Sequence, residues 1–138
     1  MHLACRYGYE NIVRCLIGHG ADINGLDQPL LLTPLQMAVI DGHENIVRCL
    51  VEHGADVNKA NCKKWTPLES AVRNKYKNIT TYLIEHSANI DKLNMIDIIR
   101  ILSLIKSKNK YIVIVSFIVL FISLCLYSNN TLTFFIIL

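Results

Sequence analysis

The equipment of catalysis is missing from this chain of 138 residues. No CxxC pair occurs, no glycine-rich loop follows a strand-like run, and no serine or cysteine stands in a recognisable nucleophile setting. Thiol redox centres, phosphate-cradling loops and acyl-transfer sites each need one of those arrangements. An enzyme is therefore not expected, and neither is a cofactor or a small-molecule substrate. Metal-site cysteine spacing is missing too: Cys5, Cys15, Cys49, Cys62 and Cys125 make an odd number without it. Aromatics are scarce beside the basic residues of the third repeating stretch, where Trp65 and Tyr76 stand alone, so nucleic acid is not an expected partner. Charge is missing from one end: no Lys, Arg, Asp or Glu follows Lys110, which divides the chain into two physically different halves. Arg6, Glu10 and Arg14 interrupt the opening residues, unlike a secretory signal. A reducing cytosol suits the unpaired cysteines.

What is present is repetition. Residues 42–58 read GHENIVRCLVEHGADVN, and Ile46, Val47, Leu50 and Val51 fall on one stripe of a helix. Residues 9–24 read YENIVRCLIGHGADIN, with ENIVRCL unchanged, and residues 76–91 read YKNITTYLIEHSANID. Ala21, Ala55 and Ala88 register the copies at offsets of 34 and 33. Gly42 and Gly54 stand where a helix ends and positive φ is wanted. A period of this length means an array of stacked units, each too small to bury its apolar face alone.

Thr33-Pro34-Leu35-Gln36-Met37-Ala38 and Thr66-Pro67-Leu68-Glu69-Ser70-Ala71 precede their copies by equal distances. Thr is the predicted N-cap, Pro fills the first helical position, and Gln36 or Glu69 completes a capping box. TPLxxA, a short helix, GH, a second helix and GADVN together resemble the ankyrin repeat, over roughly residues 1–91. The resemblance implies an all-α solenoid of helix pairs joined by β-turn fingers. Its expected units are a truncated repeat at residues 1–24, a second at 25–58 and a degraded third at 59–91. Met1-His2-Leu3-Ala4 aligns with Leu35-Gln36-Met37-Ala38, and His2 takes the histidine place of the family's TPLH motif. The finger that would precede that unit and its capping Thr-Pro are then absent, so the first helix is expected to fray. An incomplete gene product, a late start site and a fragment of a longer array all fit that start.

Departures from the pattern carry their own expectations. Leu30, Leu31 and Leu32 in the first finger either pack on the neighbouring finger or form an exposed contact patch. Neither finger keeps the family's glycine before TPL, and Lys64 stands there in the second. In the third unit Lys75 and Ser87 replace helix-ending glycines and Thr80 replaces a core Val. Lys59, Lys63, Lys64, Arg73, Lys75 and Lys77 face only Glu69, as a solvated face or as a patch for an acidic partner or anionic lipid. Cys15 and Cys49 share one repeat position beside a Leu and are expected as small core residues. His19, His53 and His86 recur one per repeat. Packed helices lie about 8–10 Å apart, too far for rings that must each come within about 2.1 Å of one zinc. They are expected at helix ends, and no metal site is expected. Asn78-Ile79-Thr80 matches a glycosylation triplet but lies within a predicted helix.

Residues 92–110 break the period. Met95, Ile98, Ile99, Leu102 and Ile105 make a helical stripe opposite Asp97, Arg100 and Lys106, either capping the stack or lying on a membrane surface. Residues 111–127 are uncharged and apolar all round, with a tyrosine at each end. Their length as a helix is roughly 26 Å, and their summed insertion energy is roughly −4 to −7 kcal/mol. A single transmembrane helix contacting membrane lipid is expected there. Lys106, Lys108 and Lys110 before it place the repeats in the cytoplasm, with residues 128–138 as a short external tail inserted post-translationally. A frameshift or read-through in an AT-rich gene is a deflationary source for the same tail.

What remains is binding. The resemblance implies a protein partner on the concave side, made by finger tips and first helices. The corresponding residues are Gln28, Pro29, Lys63 and Trp65 on the fingers and Arg6, Tyr7, Ile40, Asp41, Arg73 and Asn74 on the helices. Nothing repeats across them while the scaffold letters do repeat. Tyr7 and Trp65 are the expected anchors, because aromatics commonly dominate binding energy. The expected function is a non-enzymatic interaction module, membrane-tethered through its C-terminus. The alternative is a remnant of a larger array, a viral or bacterial host-directed adaptor in the host cytoplasm, whose hydrophobic tail is incidental.

Overall fold

Thr33 and Thr66 start helices in the way their sequence context requires. The Thr33 hydroxyl accepts from the Gln36 N–H at 3.1 Å, and the Gln36 side chain accepts from the Thr33 N–H at 3.0 Å. Thr66 and Glu69 repeat the box at 3.3 and 2.6 Å. Proline fills the first turn of both helices. The structure is a computed structural model and describes residues 1–91 and 93–104. Its helices pair along the chain as α1 (His2–Arg6) with α2 (Glu10–Gly18), α3 (Pro34–Ile40) with α4 (Glu44–Glu52), and α5 (Pro67–Arg73) with α6 (Lys77–Glu85), followed by α7 (Met95–Leu104). Helix α1 begins at Met1 with no side-chain cap. The described residues contain no strand, and the isolated bridge between Asp27 and Leu32 closes the first finger.

The pairs stack in order: α1 lies on α3 and α3 on α5, while α2 lies on α4 and α4 on α6. Between them Val13, Leu35, Ile46, Leu50, Leu68, Ile79 and Leu83 form one continuous buried core. The last letter of each GADVN run is a connector. The Asn24 side chain accepts from the Asp56 N–H at 2.8 Å and donates to the Gly54 carbonyl at 3.3 Å. Asn58 does the same to Asn89 and Ser87 at 2.7 and 3.2 Å. Gln36 also donates to the Lys59 and Trp65 carbonyls at 2.9 and 3.0 Å, strapping the second finger to α3. His2, in the histidine place, reaches the Gly25 carbonyl at 3.0 Å and straps the first. Asn78 sits in α6 and donates to Glu44 at 2.9 Å. With Arg48 it holds the Glu44 carboxyl below its ordinary range.

Gly42 is needed for two reasons. Its φ is +78°, and a Cβ there would stand 2.8 Å from the Tyr76 ring, which reaches back toward the Ile40 carbonyl at 3.5 Å. Gly8 meets His43 in the same way, at 2.7 Å. At the third unit Lys75 and Ser87 keep the left-handed backbone with φ of 61° and 67°. Both are exposed, so the side chain has room and only the backbone is strained. Lys64 and Leu31 carry φ of 63° and 53° in the fingers. Thr80 is fully buried, and its hydroxyl has no hydrogen-bond partner among the described residues.

Three expectations need correction. Cys49 is buried, but Cys15 is exposed: α4 lies between α2 and α6, whereas among the described residues α2 has a second helix of a pair, α4, on one side alone. The leucine triplet divides, with Leu32 buried, Leu31 half-buried and Leu30 46% exposed. In α7 the faces are rotated relative to the expected stripe. Asp97 is 0% exposed and Ile99 is 55% exposed. Asp97 turns inward because Asn94 caps its N–H at 2.8 Å and Arg100 pairs with it at 2.9 Å. Helix α7 lies against α5, with Leu93 and Ile101 in the core. The expected membrane helix at residues 111–127, its lysine flank and the tail lie outside the described residues. Among the described residues no helix is long and apolar enough to cross a membrane.

Urea denaturation should register these local conflicts. Thr80→Val removes an orphaned hydroxyl and should stabilise by about 1–2 kcal/mol. Lys75→Gly should gain about 0.5–1 kcal/mol, the left-handed strain less glycine's larger entropy loss. A destabilised Thr80→Val variant would contradict the packing described here. Thiol alkylation at pH 8 should modify Cys15 and Cys62 quickly. Cys49 should react slowly, and so should Cys5, whose thiol burial pushes up to about 11. Equal rates at the four sites, read by peptide mass mapping, would show that Cys5 and Cys49 are not enclosed.

Candidate partner-binding groove

The fingers and the first helices of the pairs enclose two adjoining hollows. The larger, about 230 Å³, lies between Leu30 and Leu32 of the first finger, Ile40 of α3, Asn61, Cys62, Lys63 and Trp65 of the second finger, and Ser70, Arg73 and Asn74 of α5. The other, about 210 Å³, is lined by Arg6 of α1, Asp27 of the first finger, and Met37 and Asp41 of α3 and its end. Leu30, Leu32 and Ile40 line both, so the hollows form one groove along the finger side.

Local bonding fixes the walls. Asn61 accepts from the N–H groups of Lys63 and Trp65 at 2.9 and 3.0 Å, the turn role its polar side chain suits. The Cys62 N–H donates to the Leu30 carbonyl at 3.3 Å and joins finger to finger. Trp65 is 37% exposed, and the Arg73 guanidinium lies 4.3 Å from its ring centroid. The nearest carboxylate oxygen to Arg73 is Asp97 Oδ2, at 4.0 Å. That is an ion-pair distance but too long for a hydrogen bond. Helix α7 thus stands behind a groove wall that its sequence gives no hint of supporting.

Seven of the ten residues assigned from sequence line the groove: Arg6, Ile40, Asp41, Lys63, Trp65, Arg73 and Asn74. Tyr7, Gln28 and Pro29 line neither hollow. Tyr7 ends α1 beside Tyr9, their rings 6.1 Å apart. The Asn74 amide also donates to the Ile40 carbonyl at 3.2 Å, so it joins two units as well as facing the groove. Asn61, Cys62 and Met37 were not assigned from sequence, and Leu30 was only raised as part of a patch. Of the third unit's basic residues, Lys63 and Arg73 line the groove, while Lys77 faces a separate depression with Glu44 and Tyr76.

His19, His53 and His86 cap their own helices, each ring Nδ1–H donating to the carbonyl four residues back at 2.8, 2.7 and 2.8 Å. No group of three or more His, Cys, Asp or Glu among the described residues could hold a metal ion.

No curated protein matches the chain. A family model described as ankyrin repeats, in three copies, matches residues 1–94. That span holds all three helix pairs, both capped Thr-Pro starts and both asparagine connectors, and the chain belongs to the ankyrin repeat family.

Proposed function

We propose that the chain is a non-enzymatic protein–protein interaction module whose partner seats in the finger-side groove. One observation carries this reading: two adjoining apolar hollows are walled by positions that differ from unit to unit, while the letters that repeat are spent on stacking. Leu30, Ile40 and Trp65 leave apolar surface open there. Rigid, partly desolvated aromatic and aliphatic groups in a concave setting are the usual anchors of protein recognition. Trp65 is held by Arg73 and by the Asn61 turn, so it is ordered before a partner arrives.

The test is affinity capture with the tagged full chain and with Trp65→Ala and Ile40→Asp. Both side chains are more than a third exposed, so both variants should melt close to the parent. Each should weaken partner binding by about 2 kcal/mol, roughly 30-fold in Kd. Unchanged capture by both variants would place the partner elsewhere on the molecule.

A further inference from the structure

The groove is uneven in charge. At the third-pair end Lys63 and Arg73 border a hollow with no acidic residue in its lining. At the first-pair end Asp27 and Asp41 outnumber Arg6. Arg73 is the decisive group. Its guanidinium is laid against Trp65, which fixes its plane. The nearest carboxylate oxygen, Asp97 Oδ2, is 4.0 Å away, beyond hydrogen-bond reach, while Arg100 takes the other oxygen, Oδ1, at 2.9 Å. Among the described residues no acceptor hydrogen-bonds Arg73, and its side chain is 38% exposed. A guanidinium held flat with its donors open is the complement of a carboxylate, whose two oxygens match the fork. Lys63, exposed at the rim, adds a second positive charge to the same hollow.

The hollows are also spaced for a chain. Successive helices pack about 8–10 Å apart, close to the rise of three residues of extended backbone. Resting on the groove reading above, we infer that the partner is an extended peptide segment of another protein. It sets one apolar side chain in each hollow, about three residues apart, and an Asp or Glu side chain against Arg73 and Lys63. The charge of the groove sets its direction. Reversed, the same segment carries its carboxylate to Asp27 and Asp41, where like charges repel.

Peptide selection on the full chain tests this, using a displayed library of random peptides and then a fluorescent copy of the best binder. The expected consensus is an acidic residue beside one of two apolar residues. The expected Kd rises at least tenfold with Lys63→Glu, with Arg73→Lys, which keeps charge but loses the flat fork, and with the peptide's acid changed to its amide. The binding should also weaken with added salt. Lys63 is an exposed finger residue, so Lys63→Glu tests charge without disturbing α7. Peptides that lose binding to Ile40→Asp yet show no acidic preference would overturn the inference and leave the groove reading intact. Peptides indifferent to Ile40→Asp would remove the groove reading itself. Binding of the chain to phosphatidylserine vesicles that Lys63→Glu abolishes, with no acidic peptide selected, would overturn the inference in favour of a lipid surface.

Discussion

A pair of helices seven and nine residues long cannot close its own apolar stripe. Isolated helices of that length are marginal in water, and their stability comes from the surface they bury against a neighbour. Each pair here is completed by the next, and the features that recur along the chain serve that contact. Glycine keeps the turn flat enough for His43 or Tyr76 to lie across it. Asparagine ties one loop to the backbone of the following loop. The capping box frees the first helix from needing a partner at its start, and Gln36 adds a strap to the finger beyond. Where the following unit changes, the requirement relaxes. Lys75 and Ser87 can then replace glycine at the cost of backbone strain alone.

The groove follows from the same division of labour. Stacking consumes the inner stripes, the connectors and the helix-ending turns. Finger tips and the last turns of the first helices are left over, and these positions differ between units. They are not wholly free, since Asn74 faces the groove and bonds the Ile40 carbonyl as well. Arg73 is held between the Trp65 face and the carboxylate of Asp97 in α7. The residue that follows the last repeat thus takes part in shaping the surface that the repeats present.

Much of the architecture was legible in the letters, because its causes are local or periodic. Thr-Pro with Gln or Glu in place makes a capping box whatever surrounds it. A period of 34 and 33 residues fixes which residues meet, since equal steps along the chain are equal steps along the stack. Seven of the ten residues assigned from sequence line the two hollows for that reason. The failures are all of a kind that period does not encode. Cys15 repeats Cys49 in sequence but not in burial, because burial depends on having a neighbour on that side. Asp97 looked like a solvent-facing charge and is enclosed, because α7 packs that side on α5 while Arg100 of its own helix pairs with it. Tyr7 was read as an anchor from its type and its place on the first helix, and at the end of α1 it lines neither hollow. Leu30 and Leu32 are two residues apart in a finger whose course only the fold defines, and one is exposed while the other is buried.

The central claim is that the helix pairs stand or fall together, since none buries its own core. Equilibrium urea unfolding followed by two probes addresses it directly: the fluorescence of Trp65, the single tryptophan and a reporter of the second finger, and the far-ultraviolet circular dichroism of all the helices. Coincident transitions, with both midpoints shifted equally by Asn58→Ala at the connector between the second and third pairs, are what mutual completion predicts. Separate transitions, with Asn58→Ala moving one and leaving the other in place, would show units that fold independently and would contradict the account.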